Sequence, residues 1–241
     1  MTVEATPIRR GGLKIVWDVI VAPGEAFVAL RERPQWGWAF LVVCVLGIAG
    51  ALLQIPAGEH IIAATLMQNA AHDPNLAAMP PDQRAHIVSQ AQTVQRFSWV
   101  FLPAIAMFSI LVAASIMLVG NAVARGSGRF VQFFSLAANV AVINFGIGSL
   151  LIGVLVALRG PDAFTTQRDI FTALPSLAWL APGASPKLGT FLSTFNPFQI
   201  WSCVLIATAL GSIANIGRVL AYIIAAIVSF GGVLFAVPLA K

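Results

Sequence analysis

Three histidines and one adjacent carboxylate are the residues of this sequence whose types could support metal or acid–base chemistry. His60, His72 and His86 are separated by 12 and 14 positions, without the H-E-x-x-H spacing that sets two zinc ligands and a base on one helix face. Glu59 beside His60 fits a charged pair at a membrane edge better than a catalytic acid and base. We expect solvated loop histidines and no cofactor, with a weak external metal site as the alternative.

Nucleophile and phosphate-binding motifs are not found either. The sequence has no G-x-S-x-G and no P-loop pattern, and Gly126 with Gly128 is too short a signal for a phosphate cradle. Cys44 and Cys203 lie inside apolar runs, where a thiol behaves as a small hydrophobe. The apolar runs lack the ionisable groups that proton-coupled transport or intramembrane proteolysis needs at membrane depth. The prediction is a protein that is not an enzyme.

The elements that hold these residues are predicted membrane spans. Of 241 residues, 59% are hydrophobic and 10% charged, whereas soluble domains carry about 25% charged residues. The 14 Lys and Arg residues stand at the ends of apolar runs rather than in one cluster, which indicates contact with a lipid bilayer and not with nucleic acid. Apolar runs of this kind can cross a bilayer core, and they cover residues 36–55, 98–124, 130–158, 198–214 and 219–239.

The predicted fold class is an all-α polytopic membrane protein with five transmembrane helices and a short N-terminal amphipathic helical segment. Residues 1–35 form the cytoplasmic segment and residues 36–240 the membrane domain. Pro56 closes the first span, and about forty mixed residues follow it as an outer loop. In the N-terminal segment, an apolar face opposite Lys14 and Asp18 predicts a helix in the membrane interface, or one packed on the protein's own cytosolic face. That face consists of Leu13, Val16, Trp17 and Ile20.

Charge asymmetry predicts how the chain is oriented. Five spans place the termini on opposite sides, and the shorter inner segments hold more Lys and Arg than the longer outer ones, as cytoplasmic loops do. We expect a multi-pass protein, of the cytoplasmic membrane if prokaryotic, with its N-terminus inside and its C-terminus outside. Arg125, Arg129 and Arg218 at the two inner turns are candidate lipid-headgroup ligands, and a purely topogenic role is the alternative.

One polar stripe on the third span is the candidate interhelical contact or solute path. At about 100° per residue its members fall within about 60° of one another, while the other faces are apolar. Polar side chains would bond to neighbouring helices and glycines would admit a neighbouring backbone. The stripe consists of Gln132, Ser135, Asn139, Gly146 and Gly153.

Three stretches of the sequence resemble the Yip1 domain family, in particular its compact prokaryotic-type members. They are residues 22–38 (APGEAFVALRERPQWGW), 126–136 (GSGRFVQFFSL) and 195–218 (FNPFQIWSCVLIATALGSIANIGR). Asn196 stands where the family frequently has Asp, so no role for a charge is carried over to that position. The resemblance implies a non-catalytic membrane protein. The link of eukaryotic relatives to Rab GTPases and vesicle traffic is not carried over, because the N-terminal region here has only about 35 residues.

The leading functional hypothesis is therefore a non-enzymatic membrane scaffold or partner-binding protein, linked to membrane organisation or trafficking. Its partners would be other membrane proteins or further copies of the chain. The rival hypothesis is a small permease or channel-like transporter for a neutral or weakly polar solute, with the third-span stripe lining its path.

Overall fold

The chain folds as an α-helical bundle of membrane-spanning length. In the computed structural model, which describes residues 11–181 and 183–233, the regular secondary structure is helical and those residues contain no strand. Four helical stretches in them are long and apolar enough to cross a membrane, so the all-α, multi-pass prediction is confirmed. These stretches are Gly37–His72, Pro81–Val123, Phe130–Arg159 and Pro197–Ala214.

Two short helices precede the first of these stretches. They are α1 (Gly12–Val21) and α2 (Pro23–Glu32). Pro23 begins α2, because the N–H that proline lacks has no partner in a first turn anyway. Both helices pack on the bundle through buried apolar side chains, which are Ile15, Val16, Val19, Ala26, Phe27 and Leu30.

The first long helix, α3 (Gly37–His72), does not end where the predicted span ends. The helix continues through Pro56, so the first part of the expected outer loop is helical. A proline inside a helix removes one backbone hydrogen bond, and here the extension regains contacts elsewhere. At about 1.5 Å per residue its 36 residues measure roughly 54 Å, far more than a hydrocarbon core of about 30 Å. Part of α3 must therefore project from the membrane.

The extension of α3 packs against a returning helix. After α4 (Pro74–Ala78), α5 (Pro81–Phe97) runs back toward the membrane. A 3₁₀ turn, Ser98–Phe101, joins it to α6 (Leu102–Val123), so the predicted second span is entered from a long helix.

Glu59 on α3 is the contact point of this projecting helix pair. Its backbone carbonyl accepts a hydrogen bond from Gln92 Nε2 at 3.2 Å, and its carboxylate forms an ion pair with Arg96. Gly58 lets the side chain of Gln95 lie directly against the α3 backbone. These contacts explain why the chain stays helical after Pro56, which no local pattern indicates.

The third stretch contains an irregular central turn. α7 (Phe130–Ala141) passes into a π-helical turn, Val142–Gly148, and then into α8 (Ser149–Arg159). A π-turn inserts an extra residue into the helix and is frequent at functional sites. It changes which side chains of this stretch face each neighbour.

The long connection after α8 is also structured. It contains α9 (Gln167–Phe171) and α10 (Pro186–Ser193), with 3₁₀ turns at Pro161–Ala163 and Leu177–Leu180. A small apolar cluster ties this connection to α3 and α8, and its members are Ala57, Ile61, Val156, Phe164, Ile170 and Ala173.

Two antiparallel helices complete the bundle. α11 (Pro197–Ala214) ends at Asn215, whose left-handed φ of 56° reverses the chain. α12 (Arg218–Phe230) follows as a shorter apolar helix. It covers the first part of the predicted fifth span, and residues 234–239 of that span lie outside the described residues.

Candidate functional site

The polar stripe of the third stretch lies inside the bundle. Gln132, Ser135 and Asn139 are exposed by 5%, 0% and 1%. Gly146 and Gly153 are buried on the same side. The five residues therefore meet other helices rather than lipid, and what they do for the protein's activity stays a prediction.

Gln132 and Asn139 bind backbone carbonyls of the segment that leads into the membrane. Gln132 Nε2 donates to the Arg31 carbonyl at 2.7 Å, while its Oε1 accepts from the Arg129 N–H at 2.8 Å. Asn139 Nδ2 donates to the Gln35 carbonyl at 2.8 Å. These bonds fasten the end of α2 and the α2–α3 connection to α7. The two amides are thereby used to hold the N-terminal helices in place.

Two polar atoms of the stripe have no hydrogen-bond partner among the described residues. They are the hydroxyl oxygen of Ser135 and the amide oxygen of Asn139. The Asn139 amide nitrogen also donates to the Ser135 carbonyl one turn earlier, at 2.8 Å. Buried unpaired oxygens destabilise a protein by about 1–3 kcal/mol each relative to paired ones.

The glycines of the stripe contact α3. A Cβ built on Gly153 would lie 2.9 Å from Gly50 Cα, and one built on Gly50 would overlap the Ser149 carbonyl. Gly146 has more room, because its Cβ would lie 3.4 Å from the Leu46 side chain. The two backbones therefore approach most closely at Gly50 and Gly153, as expected for small-residue packing in a membrane.

The two predicted inner turns are bonded to each other. The Ser127 N–H donates to the Ala214 carbonyl at 2.9 Å, and Asn215 Nδ2 donates to Ser127 Oγ at 3.0 Å. Asn121 closes the first turn by bonding both the N–H and the carbonyl of Gly128, at 3.1 and 3.2 Å. The turn that carries Arg125 and the turn before α12 therefore form one surface.

The N-terminal helices belong to that same surface, which we call the basic face. Arg31 Nη1 donates to the Ser212 carbonyl near the end of α11, at 3.3 Å. The described charged residues of this face are six basic and three acidic ones. The opposite face, formed by the connections within residues 56–101 and 159–196, has five basic and five acidic described residues. The nine residues of the basic face are Lys14, Arg31, Arg33, Arg125, Arg129, Arg218, Asp18, Glu25 and Glu32.

α1 turns a different side to the protein than its sequence pattern suggests. Ile15 and Val19 are buried, and Asp18 is buried with them, whereas Leu13 and Trp17 are exposed. The placement of Asp18 on a polar outer side is therefore wrong. The helix packs on the protein's own surface, as one alternative holds, and still presents an apolar outer side, as interface binding requires.

Three uncharged polar residues of this bundle were not identified from the sequence. Asn121 holds the turn at residues 125–129, and Asn144 in the π-turn donates to Ser202 Oγ at 2.9 Å. They do not recur on one helix face as the stripe residues do, since Asn144 lies about 120° from Gln132 at 100° per residue. Their positions inside apolar runs would have been the signal, because polar side chains at membrane depth bond across helices.

The histidines lie on the outer helices and do not converge. His60 Nδ1 is 3.5 Å from Asp162 Oδ1, His72 bonds the Gln68 carbonyl one turn earlier, and His86 contacts Gln90. In the part of the chain that the structure describes, no three His, Cys, Asp or Glu side chains are close enough to hold a metal ion.

Fold and site together define a class: a multi-pass helical membrane protein whose short N-terminal helices are bonded to the bundle on one face. The chain belongs to the Yip1 domain family, whose model matches residues 17–238, so the resemblance seen in the sequence is confirmed. It is also similar to "Membrane protein YknW" of Bacillus subtilis (strain 168), with 27% identity over 218 residues that cover 90% of this chain and 85% of that protein. No solved structure matches the chain.

Proposed function

We propose that this Yip1 domain protein is a non-enzymatic membrane scaffold that binds a membrane-protein partner through its N-terminal helices. The observation that carries the proposal is the use of the polar stripe. Gln132 and Asn139 bond the Arg31 and Gln35 carbonyls, so the polar groups of the third stretch hold a binding surface in place. On the permease hypothesis the same side chains would face a solute path.

The outer side of the N-terminal helices is suited to contact with a partner at the membrane surface. Leu13, Trp17 and Val21 recur every four residues on α1 and are each more than half exposed, and Val28 of α2 is exposed as well. Trp is enriched at the energetic centres of protein interfaces. The surface is preformed, because α1 and α2 pack on the core through their other side, and a preformed surface loses less entropy on binding.

This proposal places the basic face in the cytoplasm. The chain then crosses the membrane five times, and its C-terminus lies outside. The excess of basic over acidic residues on this face supports that orientation, because positively charged loops are retained inside. The described residues of the opposite face carry balanced charge.

Photo-crosslinking in intact cells tests the proposal. A benzophenone amino acid replaces Trp17 in one full-length variant and Trp179, which is similarly exposed on the opposite face, in the matched control. We expect an adduct of defined mass only from position 17, with the same membrane protein identified in independent replicates. Adducts of the chain with itself would indicate self-assembly as the scaffold's mode of action.

Two results would contradict the scaffold. One is a position-17 variant that gives no discrete protein adduct although it is produced and inserted normally. The other is solute-dependent flux through purified protein in liposomes, which would favour the permease.

A further inference from the structure

A cavity of about 650 Å³ lies among α6, α7, α11 and α12, on the side of the third stretch away from the polar stripe. Ala137 and Ala141 line it, and at about 100° per residue they lie roughly 140–180° around the helix from Gln132 and Asn139. Its volume is within the range of about 300–1,000 Å³ that is usual for small-molecule sites. The cavity is thus separate from the contacts that hold the N-terminal helices.

The cavity opens sideways, toward the lipid. Phe108 and Val112 of α6 and Ile227 of α12 line it and are themselves exposed. Its inner wall is buried and includes Ser202 and Ile206 of α11.

The opening is closed toward the basic face. There α6 and α12 touch, because Gly120 lets its helix lie directly against the Ile224 side chain. From this contact the two antiparallel helices run toward the opposite face along the cavity. A chain-like ligand would therefore enter from the bilayer and not from the basic side.

Four uncharged polar side chains meet on the inner wall: Asn144, Gln199, Ser202 and Ser229. Asn144 Nδ2 donates to Ser202 Oγ, and Gln199 Nε2 donates to the Ser229 carbonyl. The Ser229 hydroxyl, on a residue that is 9% exposed, has no oxygen or nitrogen partner among the described residues and lies beside the Cys203 thiol, a weak acceptor. Such a group at membrane depth favours a ligand that brings a hydrogen-bonding oxygen.

We propose that this cavity binds an uncharged glycerolipid of the diacylglycerol class, with an acyl chain in the apolar part and the glycerol hydroxyl or an ester carbonyl at the Ser229–Ser202 end. The described lining residues include no Asp, Glu, Lys, Arg or His, so a phosphate or ammonium group would enter without a counter-charge at high cost. A phospholipid keeps its headgroup at the surface, where these four side chains cannot reach it. A free hydroxyl and ester carbonyls can descend to them.

Photolabelling of the full-length protein in phosphatidylcholine nanodiscs tests the site. Two probes carry the same diazirine acyl chain, one on diacylglycerol and one on phosphatidylcholine. We expect the diacylglycerol probe to label at least five-fold more at equal mole fraction, on peptides that contain residues 108–116 and 227–232. Unlabelled diacylglycerol should compete this labelling away, a result that requires no variant.

Variants locate the labelling within the structure. Ala113 lines the cavity, and Ala113→Phe fills it with a ring, whereas Val119→Phe adds the same ring on the lipid-facing side of the same helix. Labelling should fall at least five-fold in the first variant and stay unchanged in the second. Ser202→Ala should reduce the preference for diacylglycerol over phosphatidylcholine at nearly unchanged packing volume.

Two outcomes overturn the proposal. Equal labelling by both probes in the unmodified protein would show ordinary boundary lipid. Undiminished labelling of a monodisperse, helical Ala113→Phe protein would place the diacylglycerol elsewhere. These experiments do not depend on the scaffold function, because the cavity and the outer side of α1 share no residue.

Discussion

Asn139 Nδ2 on the third stretch lies 2.8 Å from the carbonyl oxygen of Gln35, a residue 104 positions earlier in the chain. Together with the bond from Gln132 to Arg31, it joins the connection between α2 and α3 to the middle of the bundle. These two bonds use backbone acceptors and add to the apolar packing of α1 and α2 on the bundle. Side-chain changes at Arg31 and Gln35 can leave them intact, whereas replacing Gln132 or Asn139 removes them.

Replacing Asn139 by Leu should loosen the N-terminal helices. The substitution removes the bonds to the Gln35 and Ser135 carbonyls, and the expected loss is about 1–2 kcal/mol, since interhelical bonds in membranes average about 0.6 kcal/mol and a buried unpaired carbonyl adds to this. Amide hydrogen exchange of residues 22–35 in detergent should rise. Ser115→Ala, which removes a hydroxyl bonded within the exposed side of α6, is the control and should leave exchange there unchanged.

The contact between Gly153 and Gly50 should be the least tolerant position of the stripe. Ala at 153 places a methyl group 2.9 Å from Gly50 Cα, whereas Ala at 146 makes ordinary contact with Leu46. Overpacking of this kind destabilises by about 1–3 kcal/mol, so Gly153→Ala should lower the melting temperature clearly more than Gly146→Ala. Gly146→Leu should exceed the available space and also destabilise. Equal melting temperatures for the two alanine variants would contradict this packing.

The helices could be predicted because a long apolar run without charges has one stable arrangement in a bilayer. The helix pair that projects beyond the predicted spans could not be predicted. The helical state after Pro56 depends on Gln92 and Arg96, which are more than thirty residues away in the sequence. The sequence pattern also could not predict which side of α1 is buried. When Ile15 meets the protein and Trp17 faces outward, both sides of a helix are apolar and periodicity does not decide between them.

The candidate site was likewise predictable in part. Spacing alone placed Gln132, Ser135 and Asn139 on one side of a helix, and the structure buries that side. The acceptors of Gln132 and Asn139, the Arg31 and Gln35 carbonyls, lie at the end of α2 and in the α2–α3 connection, which no sequence pattern relates to α7. The cavity was not predicted, because its walls come from four helices and the π-turn that presents Asn144 to Ser202 has no sequence signature.

Protonation of Asp169 in acid should loosen the connection between α8 and α11. Burial raises the pKa of this carboxyl, but hydrogen bonds from the backbone N–H groups of Thr166 and Thr165 and from the Thr165 hydroxyl outweigh it and leave the pKa below its ordinary value. When the pKa of a carboxyl is lower in the folded than in the unfolded protein, its ionised form stabilises the fold. This stabilisation is complete above the ordinary carboxyl pKa and is lost as the pH falls through the pKa of the folded protein. The protection factors of amides 165–173, which correct for the pH dependence of intrinsic exchange, should therefore fall only under strongly acidic conditions.

Asp169→Asn provides the control for this pH dependence. The amide cannot ionise, so the protection factors at residues 165–173 should be lower at neutral pH and should no longer change in the acidic range. An unchanged acid response in Asp169→Asn would assign the effect to another carboxyl.

The orientation can be tested with single cysteines in a protein whose Cys44 and Cys203 are replaced by Ala. Ser127 and Ser185 are both exposed and lie on opposite faces. With the N-terminus inside, Ser127→Cys should resist a membrane-impermeant maleimide in intact cells and react after permeabilisation, whereas Ser185→Cys should react at once. The reverse pattern would invert the chain and move the proposed scaffold surface outside.

The basic face should prefer anionic lipid, and three arginines at its two turns are the test. Arg125, Arg129 and Arg218 are exposed beside turns that are bonded to each other, so their guanidinium groups are held near one surface. A near-surface basic residue contributes about 1 kcal/mol to anionic-lipid binding, which corresponds to roughly five-fold in affinity for each arginine.

Native mass spectrometry from mixed micelles should show more phosphatidylglycerol than phosphatidylcholine on the protein, and the Arg→Gln triple variant should lose most of this preference. Lys187→Gln with Arg159→Gln, which removes two exposed charges on the opposite face, is the control and should leave the preference in place. If the triple variant retains the preference but inserts with mixed orientation, the three arginines act in topogenesis and not as headgroup ligands.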